Sequence, residues 1–280
     1  MSQPRVRSLH LYPVKSTAGV SVAQAAVEPW GLAEDRRWSV VDQAGNRLVA
    51  WDVPQLLRVR AVPIATGVRL SATGRPDLLV TRPDRTVRVA SPHTRLATAV
   101  PAGPAAADWL SELLGRPVSL LWLDDPRLRP VSPVKGGRPG EFLSLADVGP
   151  LLLTSRASLA QLDRWSADRA VTDGAPAPDP LAMTRFRPNV VIDGDRPFAE
   201  DGWAELRIGQ VRFRQVQLCD RCVFTTIDPV DLSRGREPLR SLARHRRWDH
   251  QTWFGSRLVP RSAGLIRVGD PVLVDGLRAD

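Results

Sequence analysis

The sequence predicts a mainly β chain of the β-barrel type with a few helices, divided into two domains. Short β-branched or alternating runs follow one another closely, separated by Gly, Pro and Asp, as in barrels and sandwiches. Helical spacing or capping signals are confined to three stretches. A chain of 280 residues has room for two ordinary domains and buries roughly three-quarters of its unfolded surface.

Residues 5–14 alternate and are rich in Val and Leu, and a turn at Ser16–Gly19 leads to a second run at Ser21–Val27. Trp38–Val41 and Leu56–Val62 read as strands, with Asp42–Asn46 a Gly-containing hairpin turn between them. Val68–Leu70, Leu78–Val80 and Thr86–Val89 continue the series. Ala105–Leu114 has helical spacing at Trp109, Leu110, Leu113 and Leu114, and stops at Gly115 before Pro117. Pro117–Leu123 is a strand, after which the Pro- and Gly-rich stretch Asp124–Gly140 breaks regular structure. The domain boundary is placed there, giving domains 1–125 and 126–280. Leu151–Thr154 reads as a strand feeding a helix over Ala157–Ala167, with Ser155 as its N-cap. A Pro/Ala/Asp/Gly loop spans Val171–Pro180. Strands follow at Asn189–Ile192, Glu205–Ile208, Val211–Leu218 and Val223–Ile227, then a helix at Glu237–His245 and closing strands at Leu265–Val268 and Val272–Val274.

Apolar residues make up 43% and charged residues 25%, a globular composition. No run of 18 apolar residues and no charged-then-apolar leader is present, so neither a membrane partner nor export is expected and the predicted location is cytoplasmic. Two cysteines give no disulfide framework, in keeping with a reducing compartment. The formal charge of +9 comes almost wholly from arginine, Lys15 and Lys135 being the two lysines. Much of it is solvated surface, but a basic chain focuses anions and favours an acidic cofactor or partner. No nucleic-acid partner is expected, since the sequence offers no recognition helix, zinc finger or basic stripe with interleaved aromatics.

Chemistry concentrates at Leu218-Cys219-Asp220-Arg221-Cys222-Val223-Phe224-Thr225-Thr226-Ile227-Asp228-Pro229, which holds both cysteines. A thiolate binds soft metals or attacks electrophiles, and the Arg221 guanidinium beside it favours ionisation. A thioredoxin-like pair belongs at a helix start, whereas Val223–Ile227 reads as a strand. Zinc would need His245 and His250, whose distance from Cys222 exceeds that of a compact finger. Two small buried hydrophobes are the remaining reading. Elsewhere, Lys15 and Ser16 on a turn could meet a phosphate. Thr154 and Ser155 sit where a helix N-terminus favours anions. Arg187 and Asn189, flanking Pro188, could supply a planar donor fork and an amide.

Several motifs share a common resemblance. Cys219–Pro229, Tyr12-Pro13-Val14-Lys15-Ser16, Gly31–Trp38, Thr154–Leu162, Arg185–Val191 and Arg236–Leu242 together resemble MOSC-domain proteins with an N-terminal MOSC β-barrel domain. Within that family the chain is similar to the amidoxime-reducing components, mitochondrial and bacterial. The resemblance implies a molybdenum pterin cofactor (Mo-molybdopterin) with Cys222 as its metal-ligating and catalytic thiolate. It assigns cofactor contacts to Lys15, Ser16, Arg36, Thr154, Ser155, Arg187, Asn189, Arg221 and Cys222. Cys219 could be a thiol lying behind the metal's ligand or a buried hydrophobe, the latter preferred on the burial habits of cysteine, and Asp228 a proton carrier or a strand-end cap to the turn at Pro229. The activity implied is reduction of small N-hydroxylated substrates, N–OH to N–H plus water. With two cysteines the chain has no iron–sulfur site of its own, so electrons are expected from separate iron–sulfur, flavin or haem proteins. A cofactor or sulfur carrier without reductase activity is the alternative.

Overall fold

In the computed structural model, residues 3–176 and 178–278 are described. They form two compact units, each continuous in space but not in sequence. One comprises the stretch up to His10, Ser21–Pro29, and the chain from Gly149 onward; the other comprises Leu11–Val20 and Trp30–Val148. The chain is mainly β with three α-helices: α1 Pro104–Leu114, α2 Arg156–Thr172 and α3 Leu239–His245.

The unit containing the C-terminal half is built on one large sheet. Its strands run in the order Val272–Leu277, Trp203–Ile208, Val211–Asp220, Gln251–Pro260, Leu151–Ser155, Val190–Ile192 and Val6–Leu11. All these pairings are antiparallel except Leu151–Ser155 with Val190–Ile192, which is parallel. A short strand, Arg247–Trp248, folds back on Gln251–Pro260. Helices α2 and α3 cover the sheet through a cluster of Leu162, Phe186, Leu242 and Phe254, with the Phe186 and Phe254 rings stacked 4.1 Å apart. Each of these fully buried side chains contributes roughly 1.5–3 kcal/mol.

Helix α2 starts as its sequence requires. Ser155 is extended (φ −113°, ψ 142°) and its Oγ accepts from Ala157 N at 3.1 Å, satisfying one of the free N–H groups of the first turn. The helix continues past the predicted Ala167 to Thr172, through Asp, Arg, Ala and Val. The loop predicted over Val171–Pro180 therefore begins later, and Ala177 within it lies outside the described residues.

Three strand assignments change, Thr86–Val89 among them, where the strand is Val89–Ala90. Val223–Ile227 is not a strand: Val223–Thr226 is a 3-10 turn. Its β-branched residues turn back on the chain, Thr225 Oγ1 donating to Cys222 O at 2.9 Å and Thr226 Oγ1 to Val223 O at 2.7 Å, the local competition that hydroxyl side chains offer to a ladder. Leu56–Val62 splits into a 3-10 turn, Pro54–Arg58, and a strand, Arg60–Ile64, because Pro54 presets the first φ of the turn.

The other unit holds two open sheets. Trp38–Asp42, Val118–Trp122, Thr98–Pro101 and Val89–Ala90 pair in that order, and Arg60–Ile64, Gly67–Ser71 and Leu78–Thr81 form a meander. The predicted closed barrel is not seen among the described residues. Closure needs a continuous staggered ladder, and these strands are two to five residues long. Helix α1 begins with Pro104 and ends at Gly115 in the left-handed region, φ 64°. Trp38 and Trp122, with ring centroids 5.9 Å apart, anchor this unit's core beside Leu120.

Candidate functional site

The cysteine stretch sits at the end of strand Val211–Asp220. Arg221 N donates to Thr252 O at 2.8 Å, which keeps the chain on the neighbouring strand for one more residue before it turns. Cys222 then caps the 3-10 turn, its carbonyl accepting from Thr225 N at 3.1 Å. Both cysteines are free, Cys219 buried and Cys222 exposed. The backbone thus turns one thiol inward and presents the other to solvent.

Arg221 serves the inner thiol. Its Nη1 donates to Cys219 Sγ at 2.7 Å and its Nη2 to Phe186 O at 2.7 Å, while its guanidinium lies 5.2 Å from the Phe186 ring centroid. Its Nε is buried with no hydrogen-bond partner. Cys219 is therefore more than a passive hydrophobe, since it fixes the arginine next to Cys222.

The 3-10 turn Met183–Phe186 packs against the turn after Cys222. Arg187 follows it at φ 55°, with its guanidinium 5.6 Å from the Phe224 ring centroid. The structure thus brings Arg187, Arg221 and Cys222 together around two adjoining turns. Asp228 pairs with Arg185 and its Oδ1 accepts from Val230 N at 2.8 Å, the bonding of a cap to the turn at Pro229.

Thr154, Ser155 and Asn189 are buried in the same unit. Thr154 Oγ1 donates to Met183 Sδ at 3.2 Å, and the Ser155 hydroxyl is the cap already described. Asn189 braces the sheet: its Oδ1 accepts from Leu152 N and its Nδ2 donates to His10 O, both at 3.2 Å.

Lys15, Ser16 and Arg36 belong to the other unit. Thr17 Oγ1 and N both bond to Val14 O, and this tight turn puts Ser16 at φ 67°. Lys15 is buried, with Nζ donating to Leu145 O at 2.9 Å and to Asp147 at 2.7 Å, so one of its three N–H groups is left for a ligand. Burial pulls the Lys15 ammonium's pKa down, partly offset by Asp147. Asp147 is exposed, and the Lys15 and Arg47 charges beside it hold its carboxyl well below the usual range. Arg36, at φ 50°, pairs with buried Asp35 and lies 4.7 Å from the Tyr12 ring centroid. Burial disfavours its charge, yet Asp35 outweighs this and the guanidinium's pKa is raised.

Some site features carry no local sequence signal. Arg129 is 1% exposed and donates to the carbonyls of Ser144 and Ala146, which fixes the segment carrying Leu145 O and Asp147 against Lys15. It sits in an ordinary Pro/Arg-rich stretch. The zinc alternative finds no support: no group of three or more His, Cys, Asp or Glu positioned to hold a metal occurs among the described residues, and His245 instead stacks on Trp165 at 4.3 Å.

The residues around Cys222 fit a molybdenum pterin. An exposed thiol free of any disulfide is a soft donor open to a thiophilic metal, and the partnerless buried Nε of Arg221 leaves a hydrogen-bond donor for an anionic ligand.

Comparison with known proteins agrees with the motifs. Residues 3–117 match the family profile of the MOSC N-terminal beta barrel domain, and residues 142–273 that of the MOSC domain. The chain is 33% identical over 291 residues to human mitochondrial amidoxime-reducing component 1, covering 97% of this chain and 83% of that protein. It is also 33% identical over 267 residues to zebrafish (Danio rerio) molybdenum cofactor sulfurase, covering 91% of this chain but 32% of that protein. A solved structure of the YuaD protein from Bacillus subtilis aligns over 97% of this chain and 94% of that one at 8% identity, with a TM-score of 0.41, too loose a likeness to bear on the site. The chain belongs to the MOSC-domain family, in the branch that carries a MOSC N-terminal domain ahead of the MOSC domain.

Proposed function

We propose that this protein is a molybdenum-cofactor-dependent oxidoreductase that reduces N-hydroxylated compounds with electrons from separate partner proteins. The observation that carries the reading is the exposed Cys222 thiol at the turn after strand Val211–Asp220, in a chain similar along 97% of its length to an amidoxime-reducing component. When bound, the cofactor supplies a two-electron centre for converting N–OH to N–H plus water, a reaction that consumes two electrons and two protons.

The chain's own residues have distinct tasks in this reading. Cys222 offers the protein thiolate to the metal. Arg221, held on Cys219 and Phe186 O, keeps a positive charge one residue away, and Arg187 adds a second on the adjoining turn. Lys15, Ser16 and Arg36, with Thr154 and Ser155 at the α2 N-terminus and Asn189, are the proposed holders of the pterin and its phosphate. The residue division 1–125 and 126–280 is proposed for the domains along the sequence, the compact units differing from it in taking residues 3–10 and 21–29 with the C-terminal half and 126–148 with the other unit.

A second reading is a cofactor or sulfur carrier, favoured by the 33% identity to a molybdenum cofactor sulfurase. The two separate in one experiment. Molybdenum-loaded protein is mixed anaerobically with reduced viologen and a simple amidoxime. A reductase consumes both, whereas a carrier consumes neither yet restores activity to an apo molybdoenzyme.

A further inference from the structure

We infer that helix α3 and the hairpin after it form the docking surface for an acidic one-electron carrier protein. The inference rests on the reductase reading, which requires electrons to arrive repeatedly from outside the chain.

Residues 234–250 contain six arginines and two acidic residues, so they carry +4 of the chain's formal +9. The structure places this charge beside the cysteine turn. Helix α3 packs both on the 3-10 turn Val223–Thr226 and on the short strand Arg247–Trp248. The hairpin's long strand meets the cysteine stretch directly, with Arg221 N bonded to Thr252 O and Thr252 Oγ1 to Arg221 O.

The surface is built rather than loose. Asp249 and His250 turn the hairpin with φ 50° and 60°. Trp253 Nε1 donates to Trp248 O at 3.2 Å. Arg246 pairs with Asp201 and stacks between Phe198 at 4.1 Å and Trp248 at 4.9 Å. Its charge is thus spent on holding the hairpin, while Arg244 and Arg247 are exposed and enter no ion pair among the described residues. Trp248, 40% exposed, and Val223, 43% exposed, add apolar contacts.

Exposed apolar side chains together with the two arginines outside any ion pair suit a small, transient, electrostatically steered interface. The complementary partner is an acidic protein with a solvent-edged redox centre, and docking here would bring that centre close to Cys222.

The test titrates the full-length protein with an acidic plant-type [2Fe–2S] ferredoxin, following binding by calorimetry at low and raised salt. Arg244→Glu/Arg247→Glu should weaken binding at low salt by about tenfold or more, and added salt should weaken the wild type. A control pair at the remote exposed positions Arg212 and Arg267, also changed to Glu, should leave affinity within about twofold. Equal loss in both pairs, or no binding by the wild type, would overturn the assignment. So would tighter binding of single-stranded DNA or anionic vesicles with the same dependence on Arg244 and Arg247. Viologen-driven turnover is read in parallel, because a small donor bypasses docking. Its retention in the Arg244→Glu/Arg247→Glu variant alongside lost ferredoxin binding is the expected pattern. Its absence from every protein would refute the reductase reading while leaving the binding result to stand alone.

Discussion

Replacing Asn189 by alanine removes a side chain that ties three neighbouring strands. Its amide joins Leu152 N to His10 O with two hydrogen bonds of 3.2 Å, and its backbone joins the same two residues at 2.8 and 2.9 Å. At 1% exposure, water cannot replace the lost partners. A stranded buried N–H at Leu152 costs about 1–3 kcal/mol and the part-buried carbonyl of His10 about 0.5–1.5 kcal/mol. Asn189→Ala should therefore lose roughly 2–4 kcal/mol, with the backbone bonds intact. Urea unfolding followed by tryptophan fluorescence measures this, the chain having nine tryptophans. The loss should be of the same size in cofactor-free protein. Asn189→Asp sharpens the argument, since a carboxyl facing the His10 carbonyl is disfavoured when ionised. Its folded pKa lies above the unfolded one, so its stability should fall as pH rises past the usual carboxyl range. A loss below about 0.5 kcal/mol for Asn189→Ala would refute the brace.

Three further outcomes are expected. Glu200 is fully buried, with Oε1 accepting from Ser158 Oγ at 2.7 Å and Oε2 without a partner, and burial pushes its pKa from 4.5 up to about 7. The proton it holds when folded stabilises the protein below pH 4.5, by on the order of 3 kcal/mol, and that contribution is lost as pH rises to about 7; Glu200→Gln should flatten this slope in urea titrations at pH 5 and 8. Gly255→Ala should cost more than about 2 kcal/mol, because φ is +84° and a Cβ would sit 2.8 Å from Leu153 O; a wild-type unfolding midpoint would disprove it. Lys15→Ala or Arg36→Ala should lower the pterin retained on purification, and undiminished pterin in both would remove these residues from the site.

Local signals made part of this molecule readable. Helix α1 carries its Pro104 start, apolar spacing and Gly115 stop within a few residues, and Ser155 caps α2 where the sequence indicates. Strand Gln251–Pro260, at the centre of the large sheet, left no such trace. Its second half is buried on both faces, so no alternation survives, and Gly255 and Arg257 interrupt the apolar run that a central strand otherwise shows. The turn after Cys222 was misread for the opposite reason. Val223 to Thr226 have strand-forming side chains, but hydroxyl-to-carbonyl bonds closed within the turn prevail over propensity. The cysteine pair itself was legible as the centre of chemistry. The direction of Arg221 toward Cys219 was not, because adjacency in sequence does not specify which sulfur a guanidinium reaches. Glu200 lies in a Phe-Ala-Glu-Asp-Gly string that reads as surface, and its burial follows only from tertiary packing.

The most direct measurement is metal content and turnover in a matched pair of variants. Wild type, Cys222→Ser and Cys219→Ser are purified from a molybdenum-replete host, analysed for molybdenum and pterin, and assayed anaerobically with reduced viologen and a simple amidoxime. The wild type should hold molybdenum and release the amidine and water. Cys219→Ser should keep much of that activity, since serine still accepts from Arg221, and Cys222→Ser should lose it. Activity retained by Cys222→Ser and lost by Cys219→Ser would contradict the assignment of the exposed thiol as the metal's ligand.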